Sequence, residues 1–190
     1  MKKTAIILGM SALLATSASY ADDHNNDQMV NESRAAIKQF GGQLKGELQK
    51  AMKAGGPVNA IKVCNEVAPG IAARISEEKG WDVARTSLKT RNAGNAPDAW
   101  ETKVLTSFDE RKAAGEDPMK IDYSEITEVD GKKAFRYMKA IPTAKVCLNC
   151  HAAEIDAQVE AKINELYPQD KARGYKEGDI RGAFTIIRPM

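Results

Sequence analysis

The pentapeptide Cys147-Leu148-Asn149-Cys150-His151 places the strongest constraint on how this chain can fold. Cys-x-x-Cys-His is the attachment motif of a c-type haem. In such a site both thiols add to the haem vinyl groups as thioethers, and the short spacing brings the histidine to the iron from the same side. The motif occurs once, so we expect one covalent haem c, attached through Cys147 and Cys150, with His151 as an axial ligand of the iron. The alternative is a disulfide-forming pair beside an unrelated histidine.

The first residues of the chain predict export. Two lysines precede an apolar run over residues 5–15, and small residues follow up to Ala21. This positive, apolar, small-residue order is typical of a secretory signal peptide. The apolar run is too short to span a bilayer, which needs about 20 residues. We therefore predict a signal peptide over residues 1–21, a polar disordered lead-in over residues 22–29 and a haem domain over residues 30–190.

Composition excludes one class of partner. Cleavage after Ala21 would leave 169 of the 190 residues, which suits one domain that buries roughly 70% of its unfolded surface. The leader takes two lysines with it, so 26 basic residues face 26 acidic ones. This balance provides no basic stripe for nucleic acid. No later stretch is apolar enough to span a membrane, so we expect a soluble periplasmic protein. Its partner, a redox protein or a signalling protein, is not identified by the sequence.

The third cysteine, Cys64, has no partner if the motif uses the other two. An unpaired cysteine in an oxidising compartment needs an explanation. It lies on the apolar face of a predicted helix, together with Ile61 and Val67. From the residues alone, Cys64 could be a buried hydrophobic residue, an intermolecular bridge or a ligand to the iron.

Apolar spacing and turn residues predict an α+β chain with an antiparallel sheet, in contrast to the all-helical order of small soluble cytochromes c. A long helix is expected to begin at Asn31 or Ser33 and to end at Gly55-Gly56-Pro57, and a second helix to kink at Pro69-Gly70. The remaining elements are a strand over residues 81–87, a turn-rich stretch over 91–97, a helix from Asp98, a hairpin around Asp130-Gly131, a helix over 155–166 and a strand over 181–188.

Several spaced stretches agree with one known family: residues 61–69, Arg91-Asn92 through Asn95, Pro97-Asp98, Trp100-Glu101, residues 147–151, Tyr167-Pro168, Asp170-Lys171, Gly174-Tyr175, Gly178-Asp179 and Arg181-Gly182. In these the chain resembles the bacterial single-haem, PAS-like c-type haem domains, long catalogued as a domain of unknown function. The resemblance covers roughly residues 30–189. It implies a PAS-like antiparallel sheet flanked by helices, and an axial pair formed by His151 and Cys64.

Other candidate site residues have ordinary alternatives. Haem propionates need donors, and the candidates are Arg91, Arg85, Arg136, Tyr137 and Arg188, each of which is also a common surface residue. Alternatives to Cys64 as the second axial ligand are His24 in the predicted lead-in and the methionines Met29, Met52, Met119, Met138 and Met190. Met52 and Met138 also fit ordinary packing positions on a helix and a strand.

Three functions are consistent with these observations. A charged thiolate ligand favours ferric iron, so a His/Cys site should have a low potential, suited to a periplasmic one-electron carrier. The alternative is a redox or diatomic-gas sensor that acts through a partner protein, as in family members that serve as extracytoplasmic sensory modules. A peroxidase-type enzyme is the least favoured, because it requires an open iron and a distal acid-base group. We expect a haem c redox protein, with electron transfer ahead of sensing.

Overall fold

The computed structural model describes residues 17–190, with side chains from residue 25 onward. Residues 1–16, which include the charged and apolar parts of the predicted signal peptide, lie outside this range. None of the helices within residues 17–190 is long and apolar enough to cross a membrane.

The first helix, α1 (Ser17–Lys62), is interrupted where the sequence predicts a break. Gly55 and Gly56 have non-helical backbone angles, with φ of +67° at Gly56, directly before Pro57. At its other end the helix passes through Asn31 and Ser33, where a start was predicted, and includes residues 22–29, where a disordered lead-in was predicted. The helix continues there because its buried stripe also includes Met29, which packs into the same core as Phe40.

A five-residue π-helical turn, Val63–Val67, joins α1 to α2 (Ala68–Lys79). Its signature is the hydrogen bond from the Ala68 N–H to the Val63 carbonyl, five residues earlier. Pro69 explains the irregularity, because proline lacks an N–H and its ring crowds the carbonyl four residues before it. The predicted kink thus lies just before Pro69, and Cys64 is part of it. Single π-helical turns of this kind occur frequently at functional sites.

The sheet has four strands: β1 (Asp82–Thr86), β2 (Asp122–Val129), β3 (Lys132–Pro142) and β4 (Ile180–Pro189). Their order is β1-β4-β3-β2 and every pairing is antiparallel, which confirms the predicted α+β class. The hairpin between β2 and β3 turns where predicted, with Val129 opposite Lys132. Asp130 and Gly131 both have positive φ, as a two-residue type I′ turn requires.

Helices cover both faces of the sheet. On one face α1 and α2 pack against side chains that include Tyr137 and Ile186. On the other face the helix α3 (Ala99–Ala113) packs against side chains that include Met138 and Ala183. Successive strand residues point to opposite faces, which explains why Tyr137 and Met138 belong to different clusters.

The attachment motif occupies a short 3₁₀ turn, Lys145–Cys147, and the one-turn helix α4 (Leu148–His151), directly after β3. The next helix, α5 (Ala157–Leu166), begins at Asp156, whose side chain caps its first N–H groups. Val159 and Ile163 of α5 pack with Ile61 at the end of α1, and Cys150 packs against this cluster. The motif is therefore fixed beside the π-helical turn that contains Cys64.

Candidate functional site

Two adjoining cavities lie between the motif and the π-helical turn. Their empty volumes, open mouths included, are about 570 and 660 Å³. They share five lining residues: Cys64, Arg85, Arg91, His151 and Arg181. The cleft formed by these cavities brings together Cys64 and His151, which are distant in sequence, and its larger cavity also contains Cys147 and Cys150.

The two cavities differ in chemistry. The larger is lined mainly by apolar side chains, including Leu44, Leu48, Met52, Ile61 and Val146. Most residues that line the smaller cavity are polar, among them Thr86, Ser87, Lys89, Thr90, Asn92 and Asn95. The cleft thus suits a group with an apolar body and an anionic edge.

His151 is held in the state in which histidine binds metals. Its Nδ1 lies 2.8 Å from the Ala172 carbonyl oxygen. A carbonyl only accepts, so Nδ1 carries the hydrogen and Nε2 keeps a free lone pair. Burial, aided by the nearby Arg91 and Arg181 guanidinium groups, lowers the pKa of His151 to about 3 and keeps the ring neutral at pH 7. A backbone carbonyl that accepts from the second ring nitrogen is one of the usual outer partners of a metal-binding histidine.

The three cysteines are half-buried free thiols. Burial raises the pKa of the Cys150 thiol, and the positive charge of Arg91 opposes this effect. Cys64 and Cys147 are close enough to raise the pKa of Cys150 further. All three cysteines therefore lie near one another and line the same cleft as His151.

Arg85 and Arg181 line both cavities and are close enough for their charges to interact. Burial lowers the pKa of Arg85, and the like charge of Arg181 lowers it further. Among the ion pairs within residues 25–190, neither arginine has a carboxylate partner. The buried Nε of Arg181 also lacks a hydrogen-bond acceptor in this part of the chain. Two such cations fit a bound group that carries two negative charges.

A close backbone approach brings this arginine pair together. Gly182 on β4 has φ of +148°, and a Cβ atom at this position would lie 2.5 Å from the Thr86 carbonyl oxygen on β1. Only glycine avoids that contact. The neighbouring Arg181 carbonyl accepts a hydrogen bond of 2.8 Å from the Ser87 hydroxyl. The start of β4 is thereby held against the end of β1, where Arg85 lies.

Arg91 lines both cavities, but its guanidinium is bound mainly to protein groups. It donates to the Asp170 carboxylate over 3.1 Å and to the Cys150 carbonyl over 2.6 Å. Burial acts to raise the pKa of Asp170, but hydrogen bonds from Arg91, the Ala172 N–H and Arg173 outweigh it and hold that pKa below its ordinary value. Arg91 therefore connects the motif to the loop before β4.

Arg136 and Tyr137, predicted as propionate contacts, line neither cavity. Arg136 pairs with Asp98 over 2.8 Å and stacks on Trp100 with its guanidinium carbon 4.1 Å from the ring centroid. The Tyr137 hydroxyl donates to Asp122 over 2.6 Å. Both residues lie on β3, where helices cover both faces of the sheet. We therefore leave them out of the site.

The other predicted residues lie in different surroundings. Met52 lines the larger cavity and remains an alternative to Cys64. Met29 and Met138 are buried in the core, Met119 and Met190 are exposed, and Arg188 pairs with Glu32. The side chain of His24 lies outside the described residues.

The sequence alone predicts no role for Asp170 or Arg181. Asp170 lies in the polar loop before β4, and Arg181 is the second residue of β4. No hydrophobic pattern distinguishes either side chain from its polar neighbours. The available signal was their place among the stretches that resemble the family.

The fold and the cleft together define a class: an α+β protein whose antiparallel sheet and helices present a Cys-x-x-Cys-His motif and a distant cysteine to one amphipathic cavity. The model of the Tll0287-like family matches residues 10–189, and the chain belongs to that family. The family resemblance is thus confirmed.

A solved structure, described as the crystal structure of the cyanobacterial heme-protein Tll0287, has the same fold. Its TM-score to this chain is 0.66 at 24% sequence identity, over 86% of this chain and 96% of that one. No curated protein matches the chain.

Proposed function

We propose that this chain is an exported one-electron redox protein that holds one haem c. In this proposal Cys147 and Cys150 form the thioethers, and His151 and Cys64 are the axial ligands. The observation that carries the proposal is the convergence of all four residues on one cleft, with a neutral His151 whose Nε2 is free. The likeness to a protein described as a haem protein supports it.

The cleft fits the two chemical parts of a haem. The apolar cavity suits the macrocycle, and Leu44, Leu48 and Met52 would exclude water from it. Arg85 and Arg181 would bind the two propionates, since both arginines lack a carboxylate partner in the described part of the chain. A bound haem supplies the Fe(III)/Fe(II) couple. The Cys64 thiolate would stabilise the ferric form and lower the potential relative to a neutral ligand.

A specific observation also favours sensing as a second candidate. Cys64 lies in a π-helical turn, and such a turn is less regular than the α-helices on either side. Release of the thiolate on reduction would allow this turn to rearrange and to change the surface between α1 and α2. A sensor of this kind would need a partner protein.

The first test uses the wild-type protein. The full chain is expressed with a c-type haem maturation system, and the exported product is denatured and separated from free haem. We expect one haem per chain to stay with the polypeptide, and N-terminal sequencing to begin at Asp22. A purified chain that carries no haem under these conditions, while a control c-type cytochrome is loaded, would contradict the proposal.

Substitutions in the arginine pair should have opposite effects on the free energy of unfolding in the haem-free and the haem-loaded protein. Without haem, Arg85→Gln and Arg181→Gln should each increase the free energy of unfolding by about 1 kcal/mol, because each removes repulsion between two poorly solvated cations. With haem, the same changes should decrease it, because a propionate loses its partner. Urea unfolding followed by circular dichroism checks both signs.

The matched control is Arg74→Gln, which removes an exposed guanidinium whose hydrogen bond goes to Gln43. It should change the free energy of unfolding by no more than a few tenths of a kcal/mol, with or without haem. A decrease in both forms for Arg85→Gln and Arg181→Gln would mean that the pair has an ordinary structural role.

A further inference from the structure

The carbonyl of Ala172 accepts two hydrogen bonds from the candidate site. His151 Nδ1 approaches it to 2.8 Å, and Arg91 Nη2 approaches it to 3.3 Å. Arg91 also donates to the Cys150 carbonyl over 2.6 Å, and Cys150 directly precedes His151. One guanidinium therefore contacts both the backbone that carries the histidine and the acceptor that orients its ring.

Asp170 accepts hydrogen bonds from both Arg91 and the backbone of Ala172. Its carboxylate accepts from Arg91 over 3.1 and 3.3 Å, and from the Ala172 N–H over 3.0 Å. The same carboxylate thus holds both the guanidinium and the residue whose carbonyl meets His151. The side chains of Arg91 and Asp170 are only 11% and 4% exposed, so water competes little with these bonds.

We propose that Arg91 and Asp170 are positioning residues for His151, which fix its ring orientation and set the strength of the hydrogen bond from its Nδ1. This inference rests on the proposed role of His151 as an axial ligand. Outer partners of a ligating histidine determine its orientation and its basicity as a ligand. In this chain the partner is a carbonyl whose position and electron density depend on an arginine–aspartate pair.

The shared acceptor determines the direction of the effect. A cation that donates to the Ala172 carbonyl withdraws electron density from it, so the carbonyl is a weaker acceptor for His151. The imidazole is then a weaker donor to the iron, and the ferric form is less favoured. Loss of the Arg91 contact should make the carbonyl a stronger acceptor and shift the couple toward ferric iron.

The test uses the haem-loaded full chain and the charge-preserving variant Arg91→Lys. Lysine keeps the positive charge but cannot span the Cys150 carbonyl, the Asp170 carboxylate and the Ala172 carbonyl together. We expect the low-spin ferric EPR signal to broaden into more than one species. At the midpoint potential of the wild type, the ferric-to-ferrous ratio should rise up to about tenfold, which corresponds to 59 mV for one electron.

Asp170→Asn is the second variant, in case lysine at position 91 prevents folding. An amide NH2 group, which only donates, replaces one carboxylate oxygen, so Arg91 loses one of its two hydrogen bonds to this side chain in either amide orientation. The same broadening of the EPR signal is expected. The matched control is Arg111→Lys, because Arg111 also holds a carboxylate, Glu116, with two hydrogen bonds and a backbone carbonyl with a third, away from the cleft. This control should leave spectrum and potential unchanged.

Wild-type EPR spectra and potentials in both variants, even with lower thermal stability, would assign the pair a merely structural role and overturn the inference. Failure of the proposed function would be recognised earlier and separately. In that case the wild type would lack haem, or its spectrum would not respond to His151→Ala. Either result would overturn the positioning role together with the ligand assignment.

Discussion

Replacement of Cys64 by alanine should abolish a thiolate-type low-spin ferric EPR signal while covalent haem is retained. The midpoint potential should rise by roughly 0.2 V, within the range of about 0.8 V over which axial ligands set haem potentials. The reason is the charge of the ligand: a thiolate stabilises Fe(III) more than Fe(II), and alanine removes it. EPR of the ferric protein and a spectroelectrochemical titration measure the two effects.

Met52 provides the control for this prediction. It lines the same cavity as Cys64. Apart from the two motif cysteines, Met52 and Cys64 are the sulfur-containing residues that line this cavity. Met52→Leu preserves volume and apolar character, so both the spectrum and the potential should stay as in the wild type. A response to Met52→Leu and none to Cys64→Ala would reassign the ligand to methionine.

A high-spin wild-type spectrum that Cys64→Ala leaves unchanged would mean an open iron. Gas sensing or peroxidase chemistry would then become the better interpretation. The ligation of the reduced iron separates the remaining candidates, because a carrier should keep its ligand in both oxidation states. A sensor should lose the Cys64 signature on reduction and regain it slowly on oxidation.

The strands and turns of this chain are predicted well because their signals are local. The Asp130-Gly131 turn is one example, since both residues tolerate positive φ and no distant contact is needed to specify it. The break before Pro57 and the helix start at Asp98, where Asp98 and Glu101 form a reciprocal capping box, are equally local. These features follow from two to four neighbouring residues.

Which charged residues face the cleft depends on strand pairing between distant parts of the chain, and local sequence patterns do not contain this information. Arg85 reaches the cleft because β1 pairs with β4, whereas Arg136 lies under α3, where it stacks on Trp100 and pairs with Asp98. The two arginines are similar in sequence context, each on an alternating strand. Only the strand order β1-β4-β3-β2 distinguishes them.

Cys64 is an intermediate case, because its helical position follows from local sequence but its role depends on distant contacts. Its helical face was predictable, but the residues alone did not separate a packing role from a ligand role. The structure adds that the helix is irregular at this position and that the thiol shares a cleft with His151. A residue without a disulfide partner, on an irregular turn beside a neutral histidine, is a stronger ligand candidate than either fact alone would make it.

The largest loss of cofactor is expected from the double substitution Cys147→Ser and Cys150→Ser. Both thiols line the larger cavity, and serine hydroxyls do not form thioethers. The denatured chain should therefore carry essentially no haem, whereas Cys64→Ala should keep one per chain. Intact mass and haem stain after denaturing electrophoresis measure this directly.

The native form of the double variant tests the rest of the site at the same time. His151, Cys64 and the arginine pair should still bind added haem reversibly, because none of them depends on the thioether bonds for its position. Native absorption spectra with added haemin should then show a six-coordinate low-spin haem. Acid–acetone extraction should remove this haem completely, because it is not covalently bound. Haem that stays bound to the denatured double variant would place the covalent attachment elsewhere in the chain. Failure to bind added haemin, in a variant that is folded by circular dichroism, would mean that the cleft is not preorganised and that the thioethers themselves hold the haem in place.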